Sequence, residues 1–218
     1  PDQKRKANAR VNFHNPAGDC TTSAKLAMPP GRSILECLHA KPWLGKHTHV
    51  DEPFAMTVSA DKPVVPEVTC AEFEMFSRVC PGAMSAVNFY PGPLTNERTW
   101  WLGLGRTGGC DDVATNFSQY YHLFNPGPRS VRAVVRFLGF GSKNAERKQP
   151  VEIGAGAVVR IDATKVKGLP IDRPFAVRVD GDAPLCAQVF VRASTRGLSF
   201  TRSMYSMMGI PMKFSPRR

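Results

Sequence analysis

The sequence predicts an all-β protein: two tandem antiparallel β-sandwich modules related by an internal repeat. Three observations carry this expectation. Residues 51–68 align without a gap against residues 172–189, with eight of 18 positions identical, the Pro-Phe-Ala and Asp-x-Pro steps among them. Upstream, Asn12-Phe-His-Asn-Pro16 lines up with His122-Leu-Phe-Asn-Pro126, and the offset grows from 110 at Asn15/Asn125 to 121 at Phe54/Phe175, so the second copy holds 11 more residues. Helical periodicity is poor throughout, while 19 Pro and 18 Gly punctuate the chain into short alternating runs.

The strands follow in order. Arg98-Thr-Trp-Trp-Leu102 opens the second copy. Phe117-Ser-Gln-Tyr-Tyr-His-Leu-Phe124 reads as the next strand, and Val131-Arg-Ala-Val-Val-Arg-Phe-Leu138 is β-branched with basic interruptions. The polar, Gly-bearing segment 139–149 reads as a hairpin excursion that copy one lacks. Ala157-Val-Val-Arg-Ile-Asp162 alternates. In Phe175-Ala-Val-Arg-Val-Asp180 the pleat places Phe175, Val177 and Val179 inward, Arg178 and Asp180 outward. Gly181-Asp-Ala-Pro184 turns the chain into the more apolar strand Leu185-Cys-Ala-Gln-Val-Phe-Val-Arg192, and Ala60-Asp-Lys-Pro63 does the same in copy one. Short strands joined by Pro/Gly/Asp turns predict sandwiches. The Pro/Gly stretch 90–97 places the domain boundary, giving a first module over 1–97 and a second over 98–218. The basic ends, 1–10 and 213–218, read as mobile tails.

Bulk composition bounds the function. A chain of 218 residues with 42% hydrophobic content can bury two modest cores. No apolar run approaches the roughly 20 residues of a membrane helix, so no membrane insertion is expected. The first ten residues have no apolar core, which argues against a secretory signal and for a cytoplasmic protein. None of the six cysteines forms a CxxC pair; Cys37 and Cys186 fall in apolar strands, where Cys acts as a small hydrophobe. An even number leaves a disulfide framework open, though the missing signal argues against it. The net charge of +11 is lopsided: residues 1–97 carry 10 basic and 10 acidic groups, residues 98–218 carry 19 and 8. A basic second half can steer anions or acidic partners. The plainer alternative, a solvated strand face, suits Arg132, Arg136 and Arg160.

Motifs for catalysis are weak. Gly103-Leu-Gly-Arg-Thr-Gly108 matches GxGxxG, but no helix pattern follows, so it reads as a flexible turn rather than a dinucleotide site. His47, His49 and Asp51 occupy alternate positions and share one side of a strand, which allows a divalent metal; His14 and His39 are the possible extra ligands. Copy two keeps only the aspartate there. Asn116-Phe-Ser118 is a glycosylation sequon that carries little weight without a signal. No nucleophile motif is present, and the protein is expected not to be an enzyme and to need no cofactor. The richest set is aromatic and basic. In the pairs Trp100/Trp101 and Tyr120/Tyr121 one ring faces in and one out. Outward rings beside Arg192, Arg196 and Arg202 would form a stacking surface with guanidinium donors, suited to sugars, nucleotides or other anionic small molecules.

These residues also carry a resemblance. Thr99-Trp-Trp101, Leu123-Phe-Asn-Pro-Gly127, Gly154-Ala-Gly156, the segments 170–177 and 182–188, the Arg192-Ala-Ser-Thr-Arg196 pair and Ser203-Met-Tyr205 occur in an order that resembles the sensory rhodopsin transducer family of small-molecule-binding domains. The resemblance covers roughly residues 98–212. Residues 11–92 are similar to a degenerate copy with neither the Trp strand nor the arginine pair. It implies a compact, oligomerising antiparallel sandwich, akin to sugar-binding modules, that binds or transduces without catalysis. Its ligand surface would lie near Trp100, Asn125, Arg192 and Arg196. Coupling to a rhodopsin is not implied.

The expected function is therefore recognition of a small polar or anionic ligand, a sugar among the options, or of an acidic partner, by Trp100, Trp101, Tyr121, Asn125, Arg192, Arg196 and Arg202. A homo-oligomer is expected. The rival is a structural subunit of a larger assembly, its basic tails and Met-rich end serving as contacts, with nucleic-acid contact an unfavoured variant. A metal-dependent enzyme built on His47, His49 and Asp51 comes third.

Overall fold

Alternation of apolar and polar residues dictates strands, and strands are what form. The structure, a computed structural model, describes residues 5–34, 52–73, 81–88, 97–110, 115–140, 145–171, 173–195 and 201–211. Their regular structure is β apart from one 3-10 turn at Ala163–Lys165. The N-terminal strands are β1 (Ala7–His14), β2 (Cys20–Met28), β3 (Ala55–Ala60), β4 (Glu67–Phe73) and β5 (Pro81–Asn88). Then come β6 (Thr99–Gly105), β7 (Gly108–Cys110), β8 (Thr115–Phe124), β9 (Val131–Leu138), β10 (Glu146–Ile153) and β11 (Val158–Asp162). The last four are β12 (Phe175–Gly181), β13 (Cys186–Thr195), β14 (Thr201–Met208) and β15 (Ile210–Pro211). No helix among the described residues is long and apolar enough to cross a membrane.

The described residues from 99 onward form two antiparallel sheets packed face to face. The front sheet has the order β10-β9-β12-β6-β15; the back sheet has the order β11-β8-β13-β14, with β7 beside β8. Side-chain alternation feeds one core from both. Val131, Ala133, Val135 and Phe137 of β9 and Phe175, Val177 and Val179 of β12 meet Tyr121 and Leu123 of β8 and Val189 and Val191 of β13. Arg178 and Asp180 turn outward, as the pleat requires. The Phe137 ring meets Tyr121 and Phe175 edge to face, with centroids 5.7 and 5.5 Å apart, so a chain of rings crosses the sandwich.

The turn at 181–184 carries the chain from the front sheet to the back one. Asp182 clamps it: its backbone N–H donates to Arg132 O at 3.0 Å, and its Oδ1 accepts from Arg132 N at 2.9 Å. The expected excursion over 139–149 is the β9–β10 hairpin, closed where Gly139 N donates to Ala145 O. The GxGxxG segment is not the expected turn. Gly103 and Gly105 lie within β6, and β7 begins at Gly108. Gly105 is required by packing: a Cβ there would overlap the Phe175 ring and the Gln119 amide.

The N-terminal strands make a small sheet, β2-β1-β3, and a hairpin, β4-β5, whose second strand runs beside β14. The pairing β2-β1-β3 has the same pattern as β10-β9-β12. However, the Asn15/Asn125 anchor sets β1 against β8, and their neighbours differ: β1 pairs with β2 and β3, β8 with β11 and β13. The described residues thus do not establish a duplicated sandwich. The aligned phenylalanines diverge too, since Phe175 is 1% exposed and Phe54 39%. The basic start of the chain is not all tail either, because β1 begins at Ala7 and Asn8 is held by the Asp61 carboxylate. The expected junction over 90–96 and the basic end over 213–218 lie outside the described residues.

Candidate ligand-binding face

A sandwich has two outer faces, and the cross-strand rows at their centres place cations in different company. On the front sheet the cross-strand register sets Lys148, Arg136, Arg178, Trp101 and Ile210 in one row. These cations are answered. Arg136 donates to Glu146 Oε1 and Asp180 Oδ2, each at 2.8 Å. Arg178 Nε reaches Asp180 Oδ1 at 2.8 Å, and its guanidinium lies 5.9 Å from the centre of the Trp101 ring. Lys148 sits 3.3 Å from Glu146. The Arg136 hydrogen bond, with a smaller contribution from Lys148, holds the Glu146 pKa below the carboxylate range, and the hydrogen bonds to Glu146 and Asp180 push that of Arg136 up. This face is a salt-bridged mosaic.

The back sheet differs. Arg160 of β11, His122 of β8 and Gln188 of β13 form one cross-strand row, and Tyr120 and Phe190 form the next. His122, Gln188, Tyr120 and Phe190 each stand between buried neighbours and turn away from the core, and Arg160 is exposed beside the buried Ile161. The Arg160 guanidinium lies 5.6 Å from the centre of the Tyr120 ring, and the Tyr120 and Phe190 rings are 6.4 Å apart. Among the described residues, Arg160, the Tyr120 hydroxyl and the His122 ring make no hydrogen bond or ion pair. The nearest acid on the strand, Asp162, caps the 3-10 turn: its Oδ1 accepts from Thr164 N at 3.0 Å and Thr164 Oγ1 at 2.6 Å, and Lys165 lies 3.9 Å from Oδ2. Burial, with the Arg160 charge second, lowers the His122 pKa from 6.5 to about 4, so the ring is neutral near pH 7. The result is an arginine, a phenol and a neutral imidazole side by side on an aromatic floor. Such a set can hold an anionic or multiply hydroxylated group.

The residues expected from sequence are not gathered into one place. Trp100 is 1% exposed in the core, and its Nε1 donates to Leu185 O at 2.7 Å. Tyr121 is also in the core, its hydroxyl donating to Gln119 Oε1 at 2.6 Å. Asn125 is buried at the end of β8, where Nδ2 lies within donating distance of Arg129 O, Ile153 O and Gly154 O, and Oδ1 accepts from Gly127 N. These three side chains therefore face the interior, because each satisfies polar groups that burial would otherwise orphan. Trp101 is on the front face and Arg192 on the back, separated by the sandwich. Arg192 shares its face with Tyr120, one pleat beyond Phe190. Arg196 lies outside the described residues; Arg202 lies on β14, its side chain outside them. His47, His49, Asp51 and His39 also lie outside them. No group of three or more His, Cys, Asp or Glu fit to hold a metal occurs among the described residues. Of the described cysteines, Cys20 and Cys186 are free thiols, and burial pushes the Cys186 pKa up to about 12.

Sequence reasoning missed Arg160 and His122. Alternation around Tyr121 could have turned Tyr120 and His122 outward together. Only the β11–β8 register brings Arg160 to them.

No family model matches the chain, and no curated protein does. Among solved structures, the crystal structure of Thermotoga maritima 1070 is similar over 54% of this chain and 96% of its own, at 18% identity and a TM-score of 0.44. The Anabaena sensory rhodopsin transducer is similar over 42% of this chain and 91% of its own, at 11% identity and a TM-score of 0.35. Both are distant likenesses of fold.

Proposed function

We propose that the protein is a non-enzymatic binding module whose back sheet recognises a small anionic ligand. One observation carries this reading: in the front-sheet row Lys148, Arg136 and Arg178 have carboxylate partners, whereas Arg160, beside an unbonded phenol and imidazole, has none among the described residues. An unanswered guanidinium over an aromatic ring suits a carboxylate, sulfate or phosphate group, and Tyr120 and Phe190 offer a surface for the apolar face of a sugar or ring.

Calorimetric titration with sulfate, glucuronate and glucose tests it. The two anions should bind and glucose should bind more weakly. Arg160→Gln should lose about tenfold or more in affinity, the worth of one charge-assisted hydrogen bond, while Trp101→Phe on the opposite face should not. Full affinity in the Arg160 variant would remove the reading.

A second reading, a structural subunit of a larger assembly, is favoured by one feature. Ile210, 68% exposed, pairs with Trp101 at the edge of the front sheet. A native mass in gentle lysate matching the lone chain would exclude it.

A further inference from the structure

We propose that anion binding on the back sheet is coupled to proton uptake by His122. The proposal rests on the reading of Arg160 as the anion's partner, and it adds a second group with a different role.

The geometry is specific. Arg160 and His122 are direct cross-strand partners on the same outer face, so a ligand that engages the guanidinium comes within reach of the imidazole. The groups around the ring are mainly cationic or neutral. Tyr120 lies on its own strand; Arg160 comes from β11, and Asp162 beyond it is occupied by Thr164 and Lys165. Gln188 and Phe190 come from β13, Met208 of β14, opposite Gln188, carries no charge, and two residues on from His122 along β8 the Phe124 ring meets His14 of β1. The surroundings thus oppose the imidazolium, first by burial and then through Arg160, which lowers the His122 pKa to about 4. An anion on Arg160 reverses the local field. It offsets the guanidinium charge and accepts a hydrogen bond from the protonated ring, which donates through both nitrogens where the neutral ring donates through one.

The sign follows from linkage. Binding that raises the His122 pKa must tighten as pH falls, by up to tenfold per pH unit between the free and bound values. If the anion restores the ring to its ordinary value near 6.5, affinity rises roughly ten- to thirtyfold between about pH 7.5 and about pH 5. The cationic ring also favours a dianion over a monoanion of similar shape.

The test uses the full chain and sulfate, whose charge is constant between about pH 5 and about pH 7.5. Calorimetric titration at both values, in two buffers of different ionisation enthalpy, should show tighter binding in acid and uptake of a proton. His122→Gln keeps an amide donor but cannot titrate; whatever its affinity at the higher pH, it should lose the pH dependence and the proton uptake. NMR titration of the wild-type His122 ring, with and without sulfate, gives an answer that needs no variant: its pKa should move up when sulfate is present. Equal affinity at both pH values, or a pKa that sulfate leaves in place, overturns the coupling while the Arg160 reading stands. Absent sulfate binding at either pH, or full affinity in Arg160→Gln, removes the reading beneath and the coupling with it.

Discussion

His14 of β1 lies against Phe124 of β8, ring centroids 4.7 Å apart and planes inclined by 50°. This pair joins the small N-terminal sheet to the sandwich. His14 Nε2 also lies 3.2 Å from Thr57 Oγ1 on β3, and the β1–β2 turn continues the seam, since Asn15 O accepts from Val158 N at 3.4 Å. Gly18, with φ of 90°, presses against Ala155, where any Cβ would overlap the Ala155 carbonyl.

The seam should loosen in acid. Burial lowers the His14 pKa, with a smaller opposing pull from the Gly156 backbone. For a base with a depressed folded pKa, the docked state is favoured fully above the ordinary value of 6.5 and loses ground as pH falls below it. Amide exchange, corrected for intrinsic rate, should show β1–β3 losing protection between about pH 7 and about pH 5 while β9 and β12 keep theirs. Equal change in both regions would count against the seam.

Asn125 should behave as a structural residue rather than a ligand contact. Its side chain serves Arg129 O, Ile153 O, Gly154 O and Gly127 N at the end of β8. Asn125→Ala leaves buried backbone groups unpaired, at roughly 1–3 kcal/mol for each one that water does not reach. Chemical denaturation should show a loss of that order or more. A variant as stable as wild type but unable to bind would reverse the assignment.

Gly105→Ala should destabilise through overpacking, because the added methyl meets Phe175 and Gln119 inside the sandwich. The expected cost is about 1–3 kcal/mol. Gln119 also accepts the Tyr121 hydroxyl, so the near-UV circular dichroism of the core rings should change with the stability. A melting temperature unchanged within error would show that the core yields.

Arg178→Gln should cost little, less than about 1 kcal/mol, since its pair with Asp180 is solvent-facing and Arg136 retains the same carboxylate. Sulfate affinity should be unchanged, because the residue lies on the face opposite Arg160. A marked fall in affinity would shift attention to the front sheet.

Much of the sandwich was legible because the pleat is local. In β12 the alternation of Phe175, Val177 and Val179 with Arg178 and Asp180 fixes the inner side whatever the strand pairs with. The same logic placed one Trp and one Tyr of each pair inside, but it could not say which. Trp100 and Tyr121 went in because they pair with strands whose inner residues lie on the same side: Trp100 stands opposite Val179, and Tyr121 opposite Ile161 and Val189.

The repeat illustrates the limit from the other side. Pro-Phe-Ala occurs in both halves, yet Phe175 enters the ring chain with Phe137, while Phe54 meets Phe13 at 6.0 Å and stays partly exposed. An identical tripeptide specifies an extended entry to a strand. The depth of the phenylalanine depends on the neighbours the rest of the chain supplies.

By itself the sequence determined that this protein is β in its described regular structure, one 3-10 turn aside, where several strands and turns run, and which side of the best-patterned strands faces the core. Those properties follow from backbone pleating and turn chemistry within a few residues. Only the tertiary structure decided that Arg136 would find Glu146 and Asp180 while Arg160 would meet Tyr120 and His122 instead. Whether a surface cation is neutralised depends on which strands lie side by side and in which register, and strand pairing joins residues far apart in the chain.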